Sequence, residues 1–526
     1  GLECAALTGD LAERVDRNFH RMETELYQPA RVFWTEEESN GWPADKEGRT
    51  ILALVLDSRA AGRKARYLDE IMAMLPQRLN DKGYMGTIHV DAVDEQQLSG
   101  HGWLLRGLCE YFEWTGDSTA LKIARGVVDN LFMPVKDHIA TYPIDPAVRV
   151  AGAGDMSGTA QDVVDGWRLS SDVGCVFIGM EGLIHYFRHD RRDEVKLLID
   201  DMIGLFMRID PVAIQAQTHA SLTAMRGLLR YAAITGNKTL VDEVMSRWMT
   251  YKSDGMTENY ENYNWFGRYD TWTEPCAIID SYMVAVQLWE ATRNPSYLDD
   301  AELIYYNGIC ATQRDNGGFG CNKPLGPCFD SMRRHCYEAH WCCTMRGGEG
   351  LGRAVDYTCY ESGDTVILPF YHSGRYTLSG YGPVIDVTSD YPYGNDVIIR
   401  METVPAASCV LSLRIPQSVA DHYAAVVNGE VLECERTNGF VNISRRWHQG
   451  DEVQLRYAME PRWMPAVNAE LHNQGIGRVM YGPLVMADCA TGLVLRHKPD
   501  NELAPIDGCR VTVDNDTLMP IGMLNL

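Results

Sequence analysis

The sequence predicts a mainly α-helical protein that ends in an all-β module, and two patterns along its 526 residues support this. Over the first two-thirds of the chain, apolar residues recur at spacings of three and four, the period of an amphipathic helix. From about residue 364 the period becomes two and turn residues separate the segments, as in antiparallel strands. The composition, 45% apolar and 23% charged, is that of a globular protein and excludes a disordered chain.

The helical part is predicted to be a closed array of helical hairpins. Helical periodicity occurs in the segments 51–76, 101–114, 118–132, 176–187, 219–233, 239–249, 276–291 and 298–312. Several of these segments end at a glycine or asparagine, as at Gly116, Gly236 and Asn294, which suits a helix C-cap. The recurrence is irregular, at roughly 45–75 residues, which favours a helical toroid over a solenoid of short repeats.

The β part is predicted to be an antiparallel sandwich. Alternating or β-branched segments such as 397–401, 410–415 and 453–457 are separated by Asn-Gly turns at Asn428 and Asn438. We place the domain boundary near Ser362, with a helical domain over residues 1–363 and a sandwich over residues 364–526.

Charge and cysteine content limit the classes of partner. The net charge of −24 disfavours nucleic acid and anionic membranes as partners, because both repel a negative surface. No apolar run approaches the roughly 18–20 residues that span a bilayer. The 15 cysteines are an odd number, so they cannot all pair within one molecule, and reduced thiols are expected.

Two cysteine-containing segments form a candidate metal site. Glu274 and Cys276 flank Pro275, which suits the first turn of a helix, and Cys342 and Cys343 also precede a helical stretch. One carboxylate and three thiolates are enough for tetrahedral zinc, with His335 or His340 able to replace one of them. The alternative is that these cysteines are small buried residues, as free cysteines usually are.

The loop that precedes Glu274 and Cys276 is rich in carboxylates and aromatic rings. Glu258 and Glu261 lie among tyrosines and tryptophans between residues 260 and 272. A sugar site needs such rings to stack on and such acids to bind hydroxyl groups. An exposed acidic loop is the alternative interpretation of the two glutamates.

Several motifs resemble those of glycoside hydrolase family 127, the β-L-arabinofuranosidase family, over most of both regions. Thr273-Glu-Pro-Cys-Ala277 looks like the family's Glu-Thr-Cys-Ala motif, and His340-Trp-Cys-Cys343 looks like its Cys-Cys motif. Glu302-Leu-Ile-Tyr-Tyr-Asn-Gly308 is similar to a third motif of the family. Arg445-Arg-Trp-His-Gln-Gly-Asp451 and Tyr481-Gly-Pro-Leu-Val485 resemble its sandwich signatures.

The resemblance implies an (α/α)6 barrel followed by a β-sandwich, and a retaining, exo-acting glycosidase that releases a furanose-type sugar. It implies a Zn2+ ion held by Glu274, Cys276, Cys342 and Cys343, with Cys342 as the nucleophile. Glu258, placed 16 residues before Glu274, would be the general acid/base, and Glu261 is its rival.

The resemblance also implies a sugar-binding set, which consists of His101, His219 and Glu302, with Cys321 where the family usually has a substrate-contacting tyrosine. Pro275 replaces a threonine of the family motif, and a histidine expected near Val176 is absent. These departures concern the sugar pocket, so branched acid sugars and anhydrogalactosides stay open as substrates.

Three other functions stay open at this point. The zinc could be structural while two carboxylates among residues 258, 261, 270 and 274 hydrolyse the substrate. Other toroid chemistry could operate, such as removal of an unsaturated uronic acid or sugar epimerisation. A non-catalytic carbohydrate-binding protein is the third. The expected partner is an oligosaccharide or glycan. The expected assembly is a homodimer through the sandwich. Both the cytoplasm and the periplasm suit such a site.

Overall fold

The computed structural model describes residues 2–33, 41–149, 157–333, 337–379, 382–405 and 407–524. Its α-helices are α1 (Gly9–Met22), α2 (Pro29–Val32), α3 (Asp45–Ala61), α4 (Leu68–Met74), α5 (Glu95–Thr115), α6 (Ser118–Val127), α7 (Val176–Phe187), α8 (Asp193–Met207), α9 (Thr218–Thr235), α10 (Lys238–Asp254), α11 (Pro275–Thr292), α12 (Ser296–Ile304), α13 (Cys310–Thr312), α14 (Cys343–Asp356) and α15 (Ala469–Asn473). None of these helices is long and apolar enough to cross a membrane.

Six helices form a closed inner ring. The helices α3, α5, α7, α9, α11 and α14 each pack against the next, and α14 packs against α3 to close the ring. Most of the other long helices pack outside it, with α6 on α5, α8 on α7, α10 on α9 and α12 on α11. This is the (α/α)6 barrel that was expected. The segment 51–76 is two helices rather than one, because Gly62 adopts a left-handed conformation that caps α3.

Glycines allow the inner helices to approach backbone to backbone. A Cβ atom on Gly182 of α7 would clash with the carbonyl oxygen of Gly102 on α5. A Cβ atom on Gly102 would in turn clash with the carbonyl oxygen of Ile178, and one on Gly48 of α3 with the backbone of Leu104. The ring is therefore as tight as its main chains permit between α3, α5 and α7.

This packing predicts opposite effects for two glycine-to-alanine substitutions. Gly182→Ala should lower the free energy of unfolding by about 1–3 kcal/mol or more, because the obstacle is backbone that cannot rotate away. A Cβ atom on Gly204, in the outer helix α8, would have no atom within 4 Å. Gly204→Ala should therefore raise the free energy of unfolding by about 0.5–1 kcal/mol. Urea denaturation of both variants checks this, and equal effects at the two positions would contradict it.

The remaining elements are strands. They are β1 (Leu2–Leu7), β2 (Val93–Asp94), β3 (Ala160–Val164), β4 (Trp167–Ser170), β5 (Tyr360–Ser362), β6 (Thr365–Leu368), β7 (Gly374–Leu378), β8 (Val384–Ser389), β9 (Asp396–Thr403), β10 (Cys409–Arg414), β11 (Tyr423–Val427), β12 (Glu430–Leu432), β13 (Phe440–Arg445), β14 (Glu452–Tyr457), β15 (Pro461–Pro465), β16 (Gly477–Tyr481), β17 (Leu484–Asp488), β18 (Leu503–Pro505), β19 (Val511–Val513) and β20 (Asp516–Pro520).

The predicted sandwich corresponds to two sheets, of seven strands in the order β1-β7-β8-β9-β14-β11-β12 and four in the order β13-β10-β6-β5. Three features differ from expectation. β1 joins the first sheet although it precedes the barrel, β6 pairs parallel with β10, and β15–β20 form a separate six-stranded sheet. The predicted boundary at residue 363 falls in the turn between β5 and β6, and the division into two domains stays a prediction.

Buried ion pairs join the barrel to the β region. Arg414 of β10 donates to Asp299 at 2.6 Å and to Glu302 at 3.2 Å, both on α12. Arg478 of β16 donates to Glu258 at 2.9 Å. These contacts link the β sheets to helix α12 and to the loop before α11, and breaking a buried pair would leave an uncompensated charge there.

Candidate active site

The four proposed ligands lie at the N-termini of two inner helices. Glu274 is the N-cap residue of α11, Pro275 is in its first turn, and Cys276 follows, as the sequence predicts. Cys342 is the N-cap residue of α14 and Cys343 is its first residue. The positive ends of two helix dipoles therefore point at the same cluster, where they favour anionic ligand atoms.

The geometry of this cluster fits a tetrahedral metal ion. The Cys276 and Cys342 sulfurs are 3.3 Å apart, and Cys343 Sγ lies 3.7 and 3.9 Å from them. Glu274 Oε1 is 3.7 Å from Cys342 Sγ, and all four ligand atoms lie within 4.8 Å of one another. Sulfurs bound to tetrahedral zinc at about 2.3 Å are roughly 3.8 Å apart. The residues could therefore hold a metal without rearrangement.

The three thiols of the cluster are not equivalent. Burial raises the pKa of Cys276 and of Cys343 well above the usual thiol value. Hydrogen bonds from these two thiols, together with the Arg49 guanidinium, instead hold the pKa of Cys342 well below it. Cys342 is also the only one of the three that lines the cavity described next. The accessible sulfur is thus the one whose surroundings favour a thiolate.

A cavity of about 430 Å³ opens above the cluster. Its walls combine two indole rings, several charged groups and polar side chains, contributed by Trp42, Asp45, Lys46, Arg49, Ser157, Gly158, Asp172, Ile178, Gln217, His219, Glu274, Trp341 and Cys342. Aromatic rings beside charged and amide groups are what a sugar requires, because its ring faces are apolar and its hydroxyl groups need hydrogen bonds.

Arg49 connects the cavity wall to the cluster. Its Nη1 donates to Cys276 Sγ at 3.3 Å, and its Nε and Nη2 form a two-point ion pair with Asp45 at 2.7 and 3.2 Å. Its guanidinium also stacks on the Trp103 ring at 4.3 Å. These contacts fix the orientation of Arg49, so its positive charge stays beside the sulfurs.

A second series of contacts orients His219. Its Nδ1 is 3.6 Å from Glu274 Oε1 and its Nε2 is 3.2 Å from Asp280 Oδ2. Asp280 is fully buried, but the Arg346 and Arg226 guanidiniums hold its pKa well below the usual range. The resulting network of His219, Asp280 and two arginines lies beneath the cavity and holds the Glu274 carboxylate toward the cluster.

The cavity includes only part of the predicted sugar-binding set. His219 lines it, whereas His101 is buried and accepts a hydrogen bond from the Met85 N–H at 2.9 Å, with its pKa lowered to about 4 by burial. Glu302 is bound to Arg414 at the interface with the β sheets. Cys321 is half-buried and lies outside the cavity wall.

The proposed acid/base and its rival also lie outside the cavity wall. The Glu258 carboxylate accepts hydrogen bonds from the Asn468 N–H at 2.7 Å, the Val467 N–H at 3.0 Å and Arg478. Its exposed fraction is 2%. Glu261 is fully buried and accepts a hydrogen bond from the Asn322 side chain at 3.1 Å. The catalytic role of Glu258 stays a prediction that these contacts do not favour. His335 lies outside the described residues.

Several wall residues were not predicted from the sequence. Asp45 and Arg49 are four residues apart at the start of α3, a spacing that suggests a helix-surface ion pair and nothing more specific. Asp172 follows strand β4 in a loop of the barrel mouth, with no motif around it. Only the closure of the ring brings these positions beside Cys342, which is 170 positions from Asp172 and more than 290 from Asp45 and Arg49.

Two family models match the chain. Residues 53–353 match the model "Beta-L-arabinofuranosidase, GH127 catalytic domain", and residues 365–459 match "Beta-L-arabinofuranosidase, GH127 middle domain". The first match alone covers more than half of the chain, and it includes all four residues of the cluster. No curated protein matches the sequence.

Solved structures share the fold at low sequence identity. The GH127 β-arabinofuranosidase BT3674 is similar with a TM-score of 0.70 and 17% identity, over 98% of this chain and 90% of that one. The GH127 β-L-arabinofuranosidase Ara127N from Geobacillus stearothermophilus T6 has a TM-score of 0.66 and 16% identity, over 92% and 86%. A further glycoside hydrolase has a TM-score of 0.69 and 16% identity, over 99% and 94%.

Proposed function

The chain belongs to the GH127 β-L-arabinofuranosidase family of glycoside hydrolases, and on that premise we propose that it is a retaining, exo-acting furanosidase with Cys342 as its nucleophile. One observation carries the proposal. Cys342 is the cluster thiol that lines the cavity, and it is the one whose pKa its neighbours lower. A nucleophile must be both ionised and accessible, and this side chain meets both conditions.

We propose Zn2+ as the metal of the cluster. Glu274, Cys276, Cys342 and Cys343 would hold it, and three thiolates with one carboxylate are a donor set that suits zinc. The chemistry that zinc supplies when bound is the deprotonation of its thiol ligands at neutral pH. The buried Cys276 and Cys343, with their raised pKa values, need such help far more than Cys342 does.

The cavity supports a small, neutral sugar as the group that is released. A volume of about 430 Å³ is near the lower end of the roughly 300–1,000 Å³ of small-molecule sites, which suits a single sugar residue. Trp42 and Trp341 offer faces for stacking, and Gln217 and His219 offer hydrogen bonds to hydroxyl groups. The net charge of −24 favours a neutral glycan over an acidic one.

The reaction proceeds by two displacements at the anomeric carbon. The Cys342 sulfur attacks that carbon from one face while the leaving oxygen departs on the other and takes up a proton. Water then attacks from the leaving-group face and releases the thiolate. Two inversions give net retention, as in glycosidases that use a carboxylate nucleophile.

A panel of glycosides tests this function. The panel contains β-L-arabinofuranosides, branched-chain acid sugars and anhydrogalactosides, and the product anomer is followed by NMR. We expect cleavage of a β-L-arabinofuranoside, with the β-anomer appearing first because configuration is retained. Initial release of the α-anomer would contradict the thiolate mechanism. Cleavage of no glycoside in the panel would favour a carbohydrate-binding protein.

A further inference from the structure

A second cavity, of about 880 Å³, opens at the end of the barrel opposite the cysteine cluster. Its wall comes from the C-terminal halves of inner helices, including Gln287 of α11 and Arg353 of α14. Cys276 lies in the first turn of α11, and Gln287 is eleven residues further on, about 17 Å along a helix. We call this space the far cavity. Among the described residues, its wall has no residue in common with the catalytic cavity.

The far cavity is cationic, although the protein as a whole is acidic. Among the described residues, seven arginine or lysine side chains and three carboxylates line its wall, whereas the chain has a net charge of −24. Five of the seven cations have carboxylate partners, and these pairs are Arg59 and Arg353 with Glu110, Arg188 with Glu113, Arg226 with Asp280, and Arg230 with Glu181. The other two, Arg191 and Lys238, are exposed and form no ion pair within the described parts of the chain.

Helix dipoles account for only part of this charge. Inner helices end at the far cavity, and cations stabilise the negative end of a helix dipole. Arg59 and Arg353 lie in the last turns of α3 and α14, and Arg188 is the C-cap residue of α7. Lys238 is instead the first residue of α10, and Arg191 lies two residues before α8 begins. A cation at a helix N-terminus does not stabilise the helix, so the fold alone does not account for these two side chains.

The start of α10 adds hydrogen-bond donors to these charges. Gly236, Asn237 and Lys238 lie in the cavity wall, where the N-terminus of the helix favours an anion. Asn237 Oδ1 accepts a hydrogen bond from the Thr239 N–H at 3.1 Å, which fixes this side chain as the N-cap. Its NH₂ group has no hydrogen-bond partner among the described residues and can donate to a ligand.

Buried polar atoms without partners surround the same cavity. The Nε atoms of Arg226 and Arg230 and the Oε1 atom of Gln287 belong to wall residues, and none has a hydrogen-bond partner among the described residues. Arg226 is only 2% exposed. Native proteins leave few such atoms unsatisfied. The two arginine donors require an acceptor, and the glutamine oxygen requires a donor such as a hydroxyl group.

We propose that the far cavity binds a small organic anion that also carries hydroxyl groups, the chemistry shared by sugar phosphates and uronates. The negative group binds beside Arg191, Lys238 and the N-terminus of α10, where charge-assisted hydrogen bonds are available. The hydroxyl groups bind deeper in the wall, near Gln287. A volume of about 880 Å³ is near the upper end of the roughly 300–1,000 Å³ of small-molecule sites, so a bare inorganic ion does not fill it. This site is independent of the function proposed above.

Isothermal titration calorimetry with the full chain tests the site, with glucose 6-phosphate, glucuronate, inorganic phosphate and glucose as probes. We expect at least one of the two sugar anions to bind about 10-fold more tightly than glucose, or better, because its charged group forms charge-assisted hydrogen bonds. Inorganic phosphate should bind more weakly than that sugar anion, since it lacks hydroxyl groups for the deeper wall. Binding of glucose 6-phosphate alone identifies a phosphate ester as the ligand, and binding of glucuronate alone identifies a carboxylate.

Lys238→Gln and Arg191→Gln locate the bound anion. Each should weaken its binding by about 10-fold, since each removes one unpaired cation from the wall. Lys238→Gln should not lower the unfolding temperature, because the lysine has no ion pair to lose and lies at the positive end of α10. Lys122→Gln is the matched control, because Lys122 is an exposed lysine of α6 outside the far cavity. It should leave the affinity unchanged.

Two results would overturn the proposal. The first is that neither sugar anion binds with a dissociation constant below about 1 mM, or that glucose binds as tightly as they do. The second is unchanged affinity in both Lys238→Gln and Arg191→Gln, which would place the anion elsewhere, for example beside Lys46 in the catalytic cavity. Calorimetry does not depend on glycoside cleavage, so a failure of the proposed function would leave this test intact.

Discussion

Replacing Cys342 with serine is expected to lower kcat/KM by about 10⁴-fold or more, the scale on which enzymes lose activity with their nucleophile. The surroundings that lower the pKa of Cys342 act on a thiol, and an alcohol at the same position stays protonated and weakly nucleophilic. Glu274, Cys276 and Cys343 remain in the variant, so the fold should persist. Hydrolysis of a β-L-arabinofuranoside by the variant, with its unfolding temperature, measures the effect.

Cys489→Ser is the matched control, because it removes an exposed thiol that follows β17, outside the cluster and the cavity wall. It should leave both the rate and the stability essentially unchanged. Near-normal turnover by Cys342→Ser would refute the thiolate mechanism. The alternative with two carboxylates and a structural metal would then account for the activity better.

Loss of a buried ligand should remove the metal. Cys276→Ser is expected to raise the dissociation constant for zinc by more than about 100-fold. Loss of a residue that only hydrogen-bonds a metal ligand already raises it by about 10–100-fold, and Cys276 is itself a proposed ligand. The reason is that a hydroxyl group is not deprotonated by zinc as a thiol is. Purified enzyme should contain about one zinc per chain, and the variant far less after dialysis against a chelator. Elemental analysis gives the stoichiometry, and activity should fall in parallel.

Cys109→Ser controls for the loss of a buried thiol as such. Cys109 lies on α5, is as fully buried as Cys276, and is outside the cluster. Its substitution should cost stability but leave the zinc content at about one per chain. Retention of stoichiometric zinc by Cys276→Ser would show that the ligand set is wrong. Absence of zinc from the unaltered enzyme would show that zinc is not its metal.

The cluster was predictable because its signals are local. Pro275 marks the first turn of a helix, and it places Glu274 and Cys276 at that N-terminus. Cys342 and Cys343 directly precede a helical stretch in the same way. In an (α/α)6 ring, inner helices that begin at the same end converge, so two ligand pairs at helix starts can meet at one point.

The rest of the site depends on contacts between residues far apart in the sequence, which neighbouring residues do not indicate. Glu258 and Glu302 were both predicted as site residues, yet each pairs with an arginine of the β region more than 100 residues away. Nothing near either glutamate in the sequence indicates such a partner. Asp172 shows the reverse case, a residue without a motif that the β4 hairpin brings to the cavity wall. The departures from the family pattern near Val176 fall beside this same loop.

The pairing of β1 with β7 has a consequence for the synthesis of the protein. β1 contributes an edge strand to the seven-stranded sheet, but its partner β7 begins at Gly374, about 370 residues later. At roughly 5–20 residues per second, a ribosome needs on the order of tens of seconds to make that stretch. The barrel segment is therefore translated while β1 still lacks its partner, and the edge of the seven-stranded sheet can form only after β7 has been made.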